Sequence, residues 1–166
     1  MGDIPEVSEY GSVDPAPASN EDDFETMKSI LLDDSARMFE RMRVVFKFRN
    51  IRNSQSCIAL CHAFSTKSAL LRHELAYVLG QMQMDEAIPT LIDRLSDLNE
   101  HVMVRHEAAE ALGAIGSITA KPVLEAYLSD PCVEVSESCE VALDLLDWVA
   151  KSSIENDEIN HDILEP

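Results

Sequence analysis

Aromatic and turn-forming residues are scarce in this chain. Phenylalanine, tyrosine and tryptophan make up 5% of the 166 residues, and there are only five glycines and seven prolines. A turn-rich all-β fold usually contains more of these residues, so the composition disfavours one. Hydrophobic residues nevertheless reach 46%. The composition therefore favours one domain with a core of aliphatic side chains on helices.

Long apolar runs are missing as well. No eighteen consecutive apolar residues occur, which predicts no membrane span. Residues 1–6 have neither a basic start nor an apolar stretch, so we expect no secretory signal. The cysteines form no CxxC pair and no zinc-finger spacing; they are Cys57, Cys61, Cys132 and Cys139. Cysteines of this kind suit a reducing compartment, and we expect a cytoplasmic protein.

Basic residues are few compared with acidic ones. There are 13 lysines and arginines against 31 aspartates and glutamates, which gives a formal net charge of -18. Nucleic acid is therefore not expected as a partner, because phosphate binding requires a basic face. An acidic surface favours cationic partners. The alternative is that the charge only keeps the protein in solution.

One local pattern is present twice, 33 residues apart. Arg-His-Glu-Leu-Ala at 72–76 corresponds to Arg-His-Glu-Ala-Ala at 105–109, and each copy continues to a Leu-Gly pair. Alignment of residues 72–95 with 105–128 gives ten identities. Self-similarity at this period predicts a helical solenoid.

Weaker copies flank the two clear ones. The first begins at Arg41, with Met42 and Arg43 in place of His-Glu, and the last has Glu137 and Ser138 there. Atypical ends are typical of solenoids. The predicted fold class is all-α: a HEAT-like helical-repeat solenoid of about four helix pairs plus an extra N-terminal helix, with roughly nine helices and no strands.

The clearest repeat predicts its own helix boundaries. Apolar residues at helical spacing predict a first helix over 69–82, in which Gly80 is expected where a neighbouring helix comes close. The second helix begins around Pro89, where a missing N–H costs nothing, and runs to about Leu95. The extra N-terminal helix is predicted over 24–32.

Composition also divides the chain into three parts. Residues 1–23 are predicted to be a flexible acidic linker that contains prolines. Residues 24–150 form the HEAT-repeat domain. Residues 151–166 are predicted to be a flexible acidic tail.

The repeated His-Glu pairs are the candidate site. Adjacent helical residues point about 100° apart, so one pair serves two different places. Equivalent helices of neighbouring repeats pack about 8–10 Å apart, so His73 and His106 can converge on one point. Glu74 and Glu107 would form a second row beside them. Imidazole and carboxylate without thiolate suit iron, manganese or zinc, and open positions suit iron that activates oxygen.

A solvated helix surface is the alternative interpretation. Arg72 and Arg105 would then pair with the glutamates of their own copies as ordinary surface charges. Repetition in register favours a site instead. Glu110 has Tyr77 at its equivalent position and is expected to be plain surface. The remaining histidines lie outside the register and are not expected to be ligands: His62, His101 and His161.

Residues 68–81 and 103–115 closely resemble deoxyhypusine hydroxylase. Residues 12–17 are similar to the linker between the two halves of that family, and residues 138–144 to its final repeat. The resemblance covers about residues 10–150. It implies a HEAT-repeat di-iron monooxygenase that uses O2 to hydroxylate the deoxyhypusine side chain on the precursor of translation initiation factor 5A, forming hypusine.

The resemblance also implies roles for the His-Glu pairs. His73 and His106 would bind one Fe(II), and Glu74 would reach the iron of the opposite half. Glu107 would support the metal or hold the substrate amine, so both glutamates are candidate catalytic residues. An acidic groove would attract the polyamine-like substrate.

The chain resembles only the C-terminal half of that family, whose complete site has two halves and two Fe(II) ions. A homodimer or a separate chain would have to supply the other half. The alternatives are a non-catalytic HEAT-repeat scaffold or inactive half-enzyme for a basic protein partner, and a half-site with a structural metal. The absence of cysteine ligands argues against structural zinc.

Overall fold

The computed structural model describes the backbone of residues 6–162 and the side chains of residues 6–152. Within these residues there are eight α-helices, three short 3-10 helices and no strand beyond one isolated bridge between Val7 and Val13. The predicted all-α class is confirmed. The helices are α1 Phe24–Leu32, α2 Met38–Ile51, α3 Ser54–His62, α4 Ala69–Met82, α5 Ile88–Ser96, α6 Val102–Ile115, α7 Lys121–Ala126 and α8 Val133–Asp162.

Local sequence explains where these helices begin. Asp23 accepts a hydrogen bond from the Thr26 backbone and caps α1, and Ser68 caps α4 in the same way. Pro89 lies in the first turn of α5, where its missing N–H has no intrahelical partner to lose. The predicted helices over 24–32 and 69–82 are confirmed, as is the second helix of that repeat.

The last repeat differs from the prediction of a fourth helix pair. Residues 133–162 form a single helix, α8, so the described residues contain eight α-helices and not nine. No glycine or proline occurs in this stretch, and nothing therefore breaks the helix into two. Its described part exposes Val141, Leu145 and Trp148.

Helices α4, α6 and α8 lie side by side, and two glycines set their spacing. A Cβ atom at Gly80 would lie 3.0 Å from the Cα of Ala111, and one at Gly113 would lie 2.8 Å from the Cα of Ala142. These glycines therefore let α4 approach α6 and α6 approach α8. The expectation that Gly80 marks a close helix contact is confirmed.

The arginine that opens the first three repeat copies has a structural role. Arg41 donates to the carbonyl of Leu31, and Arg105 donates to that of Leu95, each at 2.9 Å. Arg72 donates to the Thr66 carbonyl at 2.8 Å. Each guanidinium also pairs with a loop carboxylate; the pairs are Arg41–Asp34, Arg72–Glu100 and Arg105–Asp130. We call these three residues the arginine row.

The alternative in which Arg72 and Arg105 pair with the glutamates of their own copies is therefore wrong. Arg72 bonds to the segment before α4 and to the α5–α6 loop, and Arg105 bonds to the end of α5 and to the α7–α8 loop. A buried guanidinium needs such a carboxylate and carbonyl to compensate for its lost hydration. The arginine row thus ties consecutive repeats together.

The segment before α1 packs against α2. Asp14 accepts two hydrogen bonds from the buried Arg49, at 2.9 and 2.6 Å, and the Tyr10 ring covers the same guanidinium at 4.5 Å. Ala16 is buried. The flexibility expected of residues 1–23 and 151–166 stays a prediction, and residues 1–5 and 163–166 lie outside the described residues.

No helix in the described part of the chain is both long enough and apolar enough to cross a membrane.

Candidate metal centre

Three of the four predicted site residues meet between α4 and α6. His73, His106 and Glu107 each place one ligand atom within 4.8 Å of the others. The Nε2 atom of His73 lies 3.1 Å from Oε2 of Glu107. The two imidazole rings have their centroids 5.7 Å apart. The predicted convergence of the two histidines is therefore present, and Glu107 joins them.

Helix geometry explains why Glu107 is the third member. Glu107 follows His106 and points about 100° away from it around α6. The contacts of His73 with Glu107 and of Gly80 with Ala111 show that α4 and α6 run parallel. In this packing the glutamate of the later repeat reaches the histidine of the earlier one.

The polar surroundings shift the pKa of two groups. The pKa of His73 is raised, chiefly because the Glu107 carboxylate accepts a hydrogen bond from its ring, and burial opposes the shift. The pKa of the Glu74 carboxyl is also raised, mainly because burial removes the charged form from water. These shifts favour the protonated, charged form of the His73 imidazole and the protonated, neutral form of the Glu74 carboxyl.

The residues fit a first-row metal ion. His73, His106 and Glu107 each offer one ligand atom, and these atoms lie within 4.8 Å of one another. Two imidazoles and one carboxylate are also the donor set of non-haem Fe(II) oxygenases.

One nitrogen of His73 has no structural partner. Its Nδ1 atom is the single buried side-chain nitrogen or oxygen in the described part of the chain that lacks a hydrogen-bond partner. The large majority of buried side-chain nitrogens and oxygens in proteins have a hydrogen-bond partner. The orphaned atom therefore favours a functional reason for placing His73 here.

Glu74 stands apart from the three-residue group. Its charged neighbours include His73 and Glu107, and also Asp14 and Arg49. Glu107 therefore joins the histidines, whereas Glu74 lies near them outside the three-residue group.

Glu110 was expected to be plain surface, and its side chain is exposed, but it also contacts two polar neighbours. Its Oε1 atom lies 3.5 Å from Nδ1 of His106 and accepts a hydrogen bond from the Ser138 hydroxyl at 3.0 Å. The signal was available, because residues four apart on a helix are neighbours. The histidines outside the register are not in the group: His101 instead caps α6 by accepting from the Met103 backbone, and the His161 side chain lies beyond the described residues.

Two clefts open beside these residues. One of about 380 Å³ runs between α4, α6 and α8, with Glu107 and Glu110 among its lining and Tyr77, Val141 and Leu145 as larger apolar members. The other, of about 350 Å³, is bordered by His106, Glu110, Glu134, Glu137, Ser138 and Val141. The surface beside the centre is therefore apolar in the first cleft and acidic in the second.

Comparison with known proteins identifies the family to which this chain belongs. The pattern of the HEAT repeats family matches residues 49–144, more than half of the chain. The chain belongs to the HEAT-repeat family.

Within that class, the chain is similar to deoxyhypusine hydroxylases. It is 46% identical to the human protein over 144 residues, which is 87% of this chain and 48% of the relative. It is 43% identical to the Candida albicans protein over 157 residues, which is 92% of this chain and 49% of the relative. The solved structure of human deoxyhypusine hydroxylase in complex with glycerol matches with a TM-score of 0.83 and 45% identity, covering 87% of this chain and 50% of that one.

The chain spans about half the length of the curated relatives that it matches. The similarity therefore supports the resemblance seen in residues 68–81 and 103–115, and it extends over nearly the whole of this chain.

Proposed function

We propose that this chain supplies one half of an iron-dependent deoxyhypusine hydroxylase. The reaction is the O2-dependent hydroxylation of deoxyhypusine on the precursor of translation initiation factor 5A, which forms hypusine. The observation that carries the proposal is the group of His73, His106 and Glu107, found in a chain that is 46% identical to the human enzyme over most of its length.

His73, His106 and Glu107 would hold one Fe(II) ion. When bound, ferrous iron with open coordination positions supplies the activation of dioxygen that hydroxylation of an unreactive C–H bond requires. The protein's part is to hold the two imidazoles and the carboxylate in place on two parallel helices. The rigid Gly80–Ala111 contact fixes the distance between those helices.

Glu74 is then free to bind the substrate. Deoxyhypusine carries ammonium groups, and a partly buried carboxylate beside the metal group is a suitable partner for one of them. The resemblance alone gave Glu74 to the opposite iron and left Glu107 as the support or the amine ligand. The described geometry supports Glu107 as a member of the group beside His73, and it leaves Glu74, which lies outside the group, open to either the opposite iron or the substrate.

A complete site requires a second half. One chain brings together three protein ligands, whereas the proposed di-iron site needs two such sets facing each other. A two-fold homodimer would place the same patch opposite itself, and a separate chain could do the same. We propose that two iron ions bind per assembled pair of halves.

Anaerobic reconstitution tests this proposal. The chain is purified with Fe(II), and metal content and molar mass are measured on the same sample. We expect one iron per chain, lost in His73→Ala and His106→Ala and retained in His62→Ala, which alters an exposed histidine outside the group. Hydroxylation of the deoxyhypusine-bearing precursor is then assayed. A wild-type chain that binds no Fe(II) would refute the metal site.

A binding scaffold is the second candidate, favoured by the acidic border of the 350 Å³ cleft. Such a scaffold would bind a basic protein equally well with and without Fe(II). Equal affinity of the precursor for the iron-loaded chain and for His73→Ala would favour the scaffold over the enzyme.

A further inference from the structure

Both carboxylates that contact the histidines of the metal group lie on α6, but Glu107 contacts a histidine of the neighbouring helix and Glu110 contacts a histidine of its own helix. His73 on α4 contacts Glu107, which belongs to the next helix in the row, α6. The same relation applied to His106 would require a glutamate on α8. The glycine contacts identify the equivalent position on α8, because Gly80 meets Ala111 and Gly113 meets Ala142.

That equivalent position holds a serine. Glu107 lies four residues before Ala111, and the residue four before Ala142 is Ser138. The serine side chain is too short to bring a carboxylate to His106. It is nevertheless buried, with 6% of its surface exposed, and its hydroxyl points back toward α6.

Glu110 takes the place of the missing carboxylate. Its Oε1 atom lies 3.5 Å from His106 Nδ1, and the Ser138 hydroxyl donates to this same oxygen at 3.0 Å. The residue of α4 that corresponds to Glu110 is Tyr77. On that helix the histidine, His73, already contacts Glu107. A carboxylate therefore appears on the histidine's own helix only in the repeat where the next helix does not deliver one.

We propose that Glu110, restrained by Ser138, is the positioning residue of His106. The carboxylate accepts the Nδ1 proton, fixes the tautomer and turns the Nε2 lone pair toward the metal, as carboxylates behind metal-bound histidines commonly do. The 3.5 Å separation is longer than a well-formed hydrogen bond, so the proposal requires the two groups to draw together when the metal binds. The inference rests on the proposed function, since it takes His106 as a metal ligand.

Titration with Co(II) gives the first test. Calorimetry at one pH compares the wild type with Glu110→Ala, Glu110→Gln, Ser138→Ala and His106→Ala. Loss of such a partner typically costs about 10–100-fold in metal affinity, and we expect this for Glu110→Ala. Glu110→Gln, which keeps an acceptor oxygen, and Ser138→Ala should lose less. Glu134→Gln is the matched control, because it removes a charge from the same cleft without touching His106.

The tautomer of His106 gives a second test that needs no metal. The ¹⁵N shifts of its ring nitrogens in the metal-free chain should show the proton on Nδ1 in the wild type and in Glu110→Gln. In Glu110→Ala this preference should disappear. If Glu110 had a purely structural role, its substitution would leave the tautomer of His106 unchanged.

The possible failures are distinguishable. If His106→Ala abolishes Co(II) binding but Glu110→Ala leaves affinity and tautomer unchanged, the inference is overturned and the metal site stands. If His106→Ala leaves Co(II) affinity unchanged, His106 is not a ligand, and both the proposed metal site and the inference fail.

Discussion

The arginine row and the His-Glu pairs occupy adjacent positions on the same helices, yet their surroundings are opposite. Arg105 is 4% exposed and its partner Asp130 is 1% exposed, and the guanidinium bonds to both a carboxylate and a carbonyl. One residue further on, His106 and Glu107 lie beside an open cleft. His73 leaves a buried nitrogen unpaired. The polar groups of the arginine row are all hydrogen-bonded within the protein, whereas the His-Glu pairs include a polar atom that has no such partner and border clefts that a ligand can enter.

Repetition in sequence therefore has two separate causes in this chain. The arginine is repeated because each junction between repeats needs the same bonds. It is present even in the degenerate first copy, as Arg41. The His-Glu pair is confined to the two inner copies, where His73 and Glu107 meet across neighbouring helices. A charged residue that persists into a degenerate copy is thus the structural one.

Removal of a carboxylate from the arginine row should have the largest effect. Asp130→Ala leaves the buried Arg105 without its ion-pair partner, and breaking a buried pair in this way costs about 3–5 kcal/mol. Urea unfolding measures the loss. Asp147→Ala is the control, because its pair with Lys121 is exposed, and it should cost no more than about 1 kcal/mol. Equal losses in the two variants would remove the distinction between the arginine row and ordinary surface pairs.

The helix spacing that supports both sets of residues should come next. In Gly113→Ala the added Cβ would lie 2.8 Å from Ala142 Cα, and overpacking of this kind costs about 1–3 kcal/mol. Gly80→Ala, at 3.0 Å from Ala111 Cα, should cost less in unfolding free energy. It should nevertheless reduce Co(II) affinity more, because α4 and α6 carry the metal group. The same loss of affinity in both variants would contradict this.

Glu107→Gln should leave stability almost unchanged in the metal-free chain. Its carboxylate makes no contact with the arginine row, so we expect a change below about 1 kcal/mol at pH 8. Metal binding should be lost. Glu100→Gln is the matched control, because Glu100 is 3% exposed and pairs with Arg72; it should destabilise the protein and retain the metal. A stability loss in Glu107→Gln as large as that in Glu100→Gln would show that Glu107 stabilises the fold as Glu100 does, which contradicts the prediction.

The smallest predicted effect is a difference in the sign of the pH dependence. The hydrogen bond from Arg105 lowers the pKa of Asp130, so its stabilisation is present above the unfolded pKa of about 3.9 and is lost as the pH falls through the lower folded value. Glu107 raises the pKa of His73. That stabilisation is full below the unfolded pKa of about 6.5 and is lost as the pH rises through the folded value.

Urea unfolding of the metal-free chain across pH checks both signs. The difference between wild type and Asp130→Asn should shrink in acid. The difference between wild type and Glu107→Gln should shrink as the pH rises above neutrality. Two differences that change in the same direction would contradict the assignment.

Local signals were sufficient for most of the fold. Helical spacing, the Pro89 position and the repeat period predicted α1, α4 and α5 because these signals act within a few residues. The convergence of His73 and His106 followed from register alone. The partner of each histidine did not, because it depends on which way side chains point across a parallel helix pair. The contacts of Glu110 with His106 and Ser138 were not predicted, because Tyr77 at the equivalent position made Glu110 look unrepeated.

The exposed face of α8 gives the protein a natural optical label. Trp148 is the chain's single tryptophan, and 65% of its side chain is exposed. Indole emission shifts to shorter wavelength when the ring leaves water, and no second indole contributes to the spectrum. The fluorescence of the unmodified chain therefore monitors one place only, and titration with a candidate second half reveals directly whether the covering partner reaches this helix.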